Sequence, residues 1–241
     1  MAELVDDDLQ NSRFLRVNLN GSRFHGCGFR NVKITDAFVD NLEISAYLGS
    51  LVVNEVDVSD YVRAELARRH PELRALAARD PDGLRAAWRV IEDQAAATLA
   101  RARALPETAR HESVDGEWSY VDTLRHLVFA TDRWITGPVL DDPEPFHSLG
   151  MPMDDPEPWR ERLDIDASPS LDEVFAIRRA RMDSIVQLLA DATDADVARE
   201  VASPNGGQTT VAGCIGVVLN EEWAHNRYAK RDLDVLGAPR T

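Results

Sequence analysis

Residues 211–228 carry the side chains most suited to chemistry. Val211, Cys214, Val218, Glu221, His225 and Tyr228 follow one another at spacings of 3, 4, 3, 4 and 3, the rhythm of a single helix face. Glu221 and His225 therefore continue an apolar stripe rather than a wet one. A carboxylate on such a stripe is costly unless something pairs with it, and a divalent metal ion would also account for the histidine one turn on. A solvated pair, or one bonded to Arg227, is the competing reading. A third donor must come from another helix. His126 lies in an apolar run beside Leu127, Phe129 and Ala130, where a core histidine bonded to a backbone carbonyl is the alternative to a ligand. Glu222 neighbours Glu221, and the stripe spacing with i, i+4 geometry favours Glu221.

Four helices are predicted to position these residues. The first starts after Asp80, with Pro81 at the first helical position, and runs to about residue 105. The second begins at Ser119, where Ser119 and Asp122 form a capping-box-like start, and runs to about residue 135. The third starts at the fuller capping box of Ser170 and Glu173 and ends near residue 189. The fourth covers about 210–235, with Gly237 as its stop. Residues 81–241 thus read as a four-helix bundle with a crossover link at 137–169. That link is acidic and proline-rich (DDPEPFHSLGMPMDDPEPW), and a loop so long is usually functional. It carries His147, which a lid movement could bring over the site.

The N-terminal part has a different period. Leu4, Leu9, Phe14, Leu19, Phe24, Phe29, Ile34, Val39 and Ile44 recur every fifth residue, and a series of mostly small residues runs two positions ahead. This resembles the pentapeptide-repeat family, which implies a square right-handed β-helix over residues 1–48 of little more than two coils. Seven acidic against five basic residues there are too balanced for an acidic mimic of DNA, so a packing role is expected. Residues 49–80 read as a connector, with strand character at 51–58 and two short helices around Pro71. The expected fold class is an α+β chain of two units, β-helix then bundle.

Composition narrows the partners. The 241 residues are 44% hydrophobic, and 42 acidic against 27 basic residues give a formal charge of -15. Such a surface repels phosphate backbones and anionic membranes, so neither nucleic acid nor membrane is an expected partner. No apolar run reaches the roughly 18 residues needed to span a bilayer, and MAELVDDDLQ lacks the features of a signal peptide. A cytoplasmic location is expected. Cys27 and Cys214 have no metal or redox spacing and read as two buried thiols. His25, His70 and His111 receive no role.

The segments WSYVDTLRHLVFATDRW and NEEWAHNRYAKRDL resemble the second and last helices of the DinB-like superfamily, over about residues 82–236. That superfamily includes mycothiol-dependent maleylpyruvate isomerases and mycothiol and bacillithiol S-transferases. The resemblance implies a metal held by His126, Glu221 and His225. Many members place a His-x3-His pair on the last helix, whereas Glu221-x3-His225 follows the mycothiol-dependent isomerase. Two histidines and one carboxylate leave coordination positions open, the arrangement of a working zinc site. Nickel, iron or manganese would also suit these donors. The implied activity is transfer of a small thiol, mycothiol first, to an electrophilic small molecule, with Tyr228, Arg227, Asn226 and His147 as substrate-binding candidates. A metal-dependent hydrolase, and a non-catalytic ligand-binding or scaffold protein, remain alternatives. Bundles of this kind often form homodimers.

Overall fold

The computed structural model describes residue 4 and residues 8–24, 26–46, 49–153 and 157–238. A two-residue hairpin comes first, β1 (Val52–Val53) paired antiparallel with β2 (Val56–Asp57). Asn54 and Glu55 between them both have positive φ, as a tight hairpin turn requires. Two short helices follow, α1 (Ser59–Arg69) and α2 (Leu73–Leu76). Then come α3 (Pro81–Arg103), α4 (Glu107–Arg110) and α5 (Tyr120–Thr131), which runs into a π turn over Asp132–Thr136. After the link lie α6 (Leu171–Ala190) and α7 (Asp194–Ala198). A second antiparallel hairpin, β3 (Glu200–Ala202) with β4 (Gln208–Thr210), leads directly into α8 (Val211–Leu236).

The starts of the bundle helices follow from their caps. Asp80 accepts the Gly83 amide at 2.9 Å, and Ser119 accepts that of Asp122 at 3.1 Å. Ser170 and Glu173 form the full reciprocal box, and Thr210 accepts the Gly213 amide at 3.0 Å. Each satisfies an amide that has no partner inside its helix. Gly83 is required by crowding, since a Cβ there would lie 2.6 Å from the Ala78 Cβ.

α3 packs on α8, α8 on α5, α5 on α6 and α6 on α3, closing a ring of four. Leu84, Ala87, Trp88 and Ile91 of α3 meet Cys214, Ile215, Val218 and Leu219 of α8 in the larger apolar cluster. A second cluster at the other end joins Leu99, Val121, Leu124, Leu171, Val174 and Leu233. Every residue of α5 except Asp122 is buried, so Arg125 and His126 sit inside the molecule. The connector docks on α8 through Glu72, which accepts the Trp223 indole N–H at 3.0 Å.

The expected β-helix is not formed. Among the described residues the only sheets are the two short hairpins, and the nine apolar residues of the five-residue series are 45–69% exposed. The period survives in the backbone as left-handed φ values at Asn11, Arg16, Gly21, Gly26, Asn31 and Asp36. Turn bonds from the Ser12 amide to the Leu9 carbonyl (3.1 Å) and from the Ser22 amide to the Leu19 carbonyl (3.0 Å) accompany it. A segment this short gives most turns a neighbour on one side at best, so neither a continuous ladder nor a dry interior is built. The two-unit α+β assignment is therefore replaced by a helical bundle with an exposed N-terminal arm. Cys27 lies on that arm and is exposed, against expectation, whereas Cys214 is buried. Among the described residues no helix is long and apolar enough to cross a membrane.

Candidate metal centre

α5 and α8 lie side by side, and their facing surfaces bring His126, Glu221 and His225 together. One donor atom from each lies within 4.8 Å of the other two. Glu221 Oε2 is 3.4 Å from His126 Nε2 and 3.2 Å from His225 Nε2. His126 is buried and the other two are partly buried.

His126 Nδ1 lies 3.1 Å from the Met151 carbonyl oxygen. A carbonyl can only accept, so Nδ1 carries hydrogen and, in the neutral ring, Nε2 turns a lone pair toward Glu221. With hydrogen on Nδ1, a neutral His126 would set its Nε2 lone pair against the Glu221 carboxylate, so this contact requires a cation, either a second proton on the His126 ring or a metal ion. Burial pushes the Glu221 carboxyl up, but hydrogen bonds and charge from His126 and His225 outweigh it and hold the group at about 2. Glu221 is thus an anion throughout the neutral range. Its chemistry fits a divalent ion: one negative oxygen donor, two nitrogen donors, and an outer hydrogen bond that fixes one imidazole in the correct tautomer.

Rings wall the triad. Trp118 stacks on His225 with centroids 5.8 Å apart and lies 4.7 Å from the His126 ring. Tyr228 meets the edge of His225 at 5.9 Å, and its hydroxyl is 3.3 Å from Ser45 Oγ, so the N-terminal arm reaches the rim of the site. Arg23 on the same arm bonds the Asp115 carbonyl and carboxylate at 3.1 and 3.3 Å.

The link is tied to α5 by Arg125, which is 1% exposed. Its guanidinium donates to the carbonyls of Leu149 (3.0 Å), Asp164 (2.7 Å), Ile165 (3.1 Å) and Ala167 (2.8 Å). The Met151 amide donates in turn to the Arg125 carbonyl at 3.2 Å. Phe129 packs against both Phe146 and Trp159 of the link. At the π turn, Asp132 receives Arg181 at 2.5 Å, Thr136 at 3.0 Å and the His147 amide at 2.9 Å. Burial raises the Asp132 carboxyl and these donors oppose it.

The remaining sequence candidates divide. Tyr228 borders the triad. Arg227 lies over the rings of Trp223 and Tyr228 at 4.9 and 5.3 Å. Asn226 turns to the bundle interior, accepting from Thr98 and donating to Gln94 at 3.3 Å. His147 is held away from the three donors, with its Nδ1 accepting the Leu149 amide at 3.1 Å. Glu222 is not one of the three converging donors; it bonds Arg178. Sequence reasoning missed Trp118, the Met151 carbonyl and Arg125. Of these, only a tryptophan just before the helix cap left a signal.

A family model described as the DinB superfamily matches residues 91–229, more than half of the chain and including all of α5 and α6 and the triad-bearing part of α8. The chain belongs to the DinB superfamily. No curated protein and no solved structure matches it. A helical bundle with a metal-binding arrangement of side chains is what DinB members share, and many are metal-dependent enzymes; the triad here lies within the matched span.

Proposed function

We propose that this DinB protein is a metal-dependent thiol S-transferase that joins a small thiol, mycothiol in the first instance, to an electrophilic carbon of a small-molecule acceptor. The observation that carries the reading is the convergence of two histidines and one carboxylate at the α5–α8 seam. This donor set is too small to close a coordination sphere. Zinc is the first choice of ion. When bound, the ion supplies Lewis acidity that lowers the pKa of a coordinating thiol.

The chain's own residues do the rest. Glu221 provides the fixed negative charge, and its depressed pKa keeps it available as a donor at any physiological pH. The Met151 carbonyl fixes the His126 ring. Trp118 screens one side of both imidazoles from water, strengthening electrostatic interactions inside the site. Tyr228 and Arg227 stand at the rim, where a hydroxyl and a guanidinium can orient a polar thiol or a carboxylate on the acceptor.

The test is consumption of an electrophile by zinc-loaded protein with and without mycothiol, beside a His126→Ala/Glu221→Ala/His225→Ala variant. Thiol-dependent turnover lost in the variant is expected. Turnover without thiol would instead indicate hydrolysis, and equal behaviour of the variant would indicate a non-catalytic role.

A further inference from the structure

A cavity of about 20 Å³ lies among α3, α5, α6 and α8, lined in part by Gln94, Thr98, Tyr120, Arg178, Glu222 and His225. Apolar side chains such as Ile91, Leu124 and Phe175 form most of its wall, and a space of this kind holds a water where it offers roughly 10–15 Å³ and two or more hydrogen-bonding partners. Most of its polar walls are already satisfied. The Thr98 hydroxyl shares its one hydrogen between the Gln94 carbonyl at 3.0 Å and Asn226 Oδ1, and the Asn226 amide donates to Gln94 Oε1 at 3.3 Å. Glu222 is bonded at one oxygen only. Its Oε2 takes the Arg178 guanidinium, but Oε1 is buried without a partner, one of two such side-chain atoms among the described residues. Leaving a carboxylate oxygen dry is costly, and in native proteins such an atom usually marks a bound water.

His225 lines the same cavity and lies one turn along α8 from Glu222. Its Nε2 is committed to Glu221, so Nδ1 is the ring nitrogen left for the cavity. Whereas His126 has the Met151 carbonyl to fix its ring, His225 has this space instead. We propose that one ordered water fills the cavity, hydrogen-bonded to His225 Nδ1 and donating to Glu222 Oε1. Glu222, itself anchored by Arg178, is then a positioning residue for the triad. The consequence for metal affinity rests on the triad's being a metal site; the water does not.

Two double variants separate this role from a merely structural one. Arg178→Met/Glu222→Gln and Arg178→Met/Glu222→Met both remove the buried ion pair, and only the first keeps an acceptor facing the cavity. Zinc affinity, measured by chelator competition, is expected within about threefold of wild type in the first and weakened about 10–100-fold in the second, as for lost outer partners of metal ligands. Equal affinities in the two would overturn the proposal. A high-resolution crystal structure of the metal-free wild-type protein reads the water directly. Density within hydrogen-bonding distance of both His225 Nδ1 and Glu222 Oε1 supports the inference even if no metal binds, and an empty cavity refutes it even if metal does.

Discussion

Replacing Arg125 by methionine should release the link without unfolding the bundle. The guanidinium holds four carbonyls of the link at 2.7–3.1 Å and has an ion pair with Asp122 at 3.4 Å. A hydrogen bond from a charged donor is worth about 1.5–3 kcal/mol, but four such bonds do not add, because freed link carbonyls regain water. Losing one partner of a buried charged set typically costs about 3–5 kcal/mol, and that range is expected here for local opening. It corresponds to about two to four decades in amide exchange at roughly 1.4 kcal/mol per decade. The amides of Met151 and Asp164, bonded to the Arg125 and Ser148 carbonyls, are the reporters, read by hydrogen exchange. They should exchange faster by that factor, while amides of α3 and α6 around Ile91 and Ile185 change little. Because the Met151 carbonyl orients His126, zinc affinity should fall about tenfold or more in the same variant. Unchanged protection at Met151 and Asp164 would refute the clamp. Equal acceleration across α3 and α6 would show that Arg125 supports the whole bundle instead.

Other outcomes follow from single groups. Glu221 sits at about 2 in the folded protein against an ordinary 4.5, so its bonds stabilise the metal-free protein fully above pH 4.5 and are lost as pH falls through 2. Urea unfolding between pH 6 and 3 should therefore show a steeper loss of stability in wild type than in Glu221→Gln. Burial raises the Cys214 thiol to about 11, leaving about one thiolate in a thousand at pH 8. An aromatic disulfide reagent should label one thiol per native chain, at exposed Cys27, and a second only after denaturation. Ile215→Ala, at a fully buried position of the larger cluster, should cost about 2–5 kcal/mol by chemical denaturation.

The bundle was legible because its helices carry their own stop and start signals. Asp80-Pro81, Ser170-Glu173 and Thr210 cap as their residue types demand, and the second helix departs only in ending as a π turn at Asp132. That turn is set by tertiary bonds from Arg181 and His147, which no local pattern encodes. The i, i+4 stripe separated Glu221 from Glu222 correctly in space, and Arg178 on α6 explains where Glu222 went. The five-residue period at the N-terminus was a real signal, expressed in the backbone turns. Turning it into a β-helix failed because inward-facing residues need coils above and below to bury them, which this length does not provide. His147 lies in the link, where Asp132 fixes its backbone and the Leu149 amide its ring, through contacts that its loop position did not reveal. The contacts that hold the link, from Arg125 to four carbonyls, involve backbone atoms of no distinctive residue type and left no trace in the sequence.

Metal stoichiometry tests the central claim most directly. Protein purified without a metal-binding tag, or incubated with zinc and then dialysed, should carry close to one divalent ion per chain by elemental mass spectrometry, and the His126→Ala/Glu221→Ala/His225→Ala variant should carry none while keeping its helical content. A wild-type chain that stays metal-free after zinc incubation, or a variant that binds as much as wild type, would contradict the account.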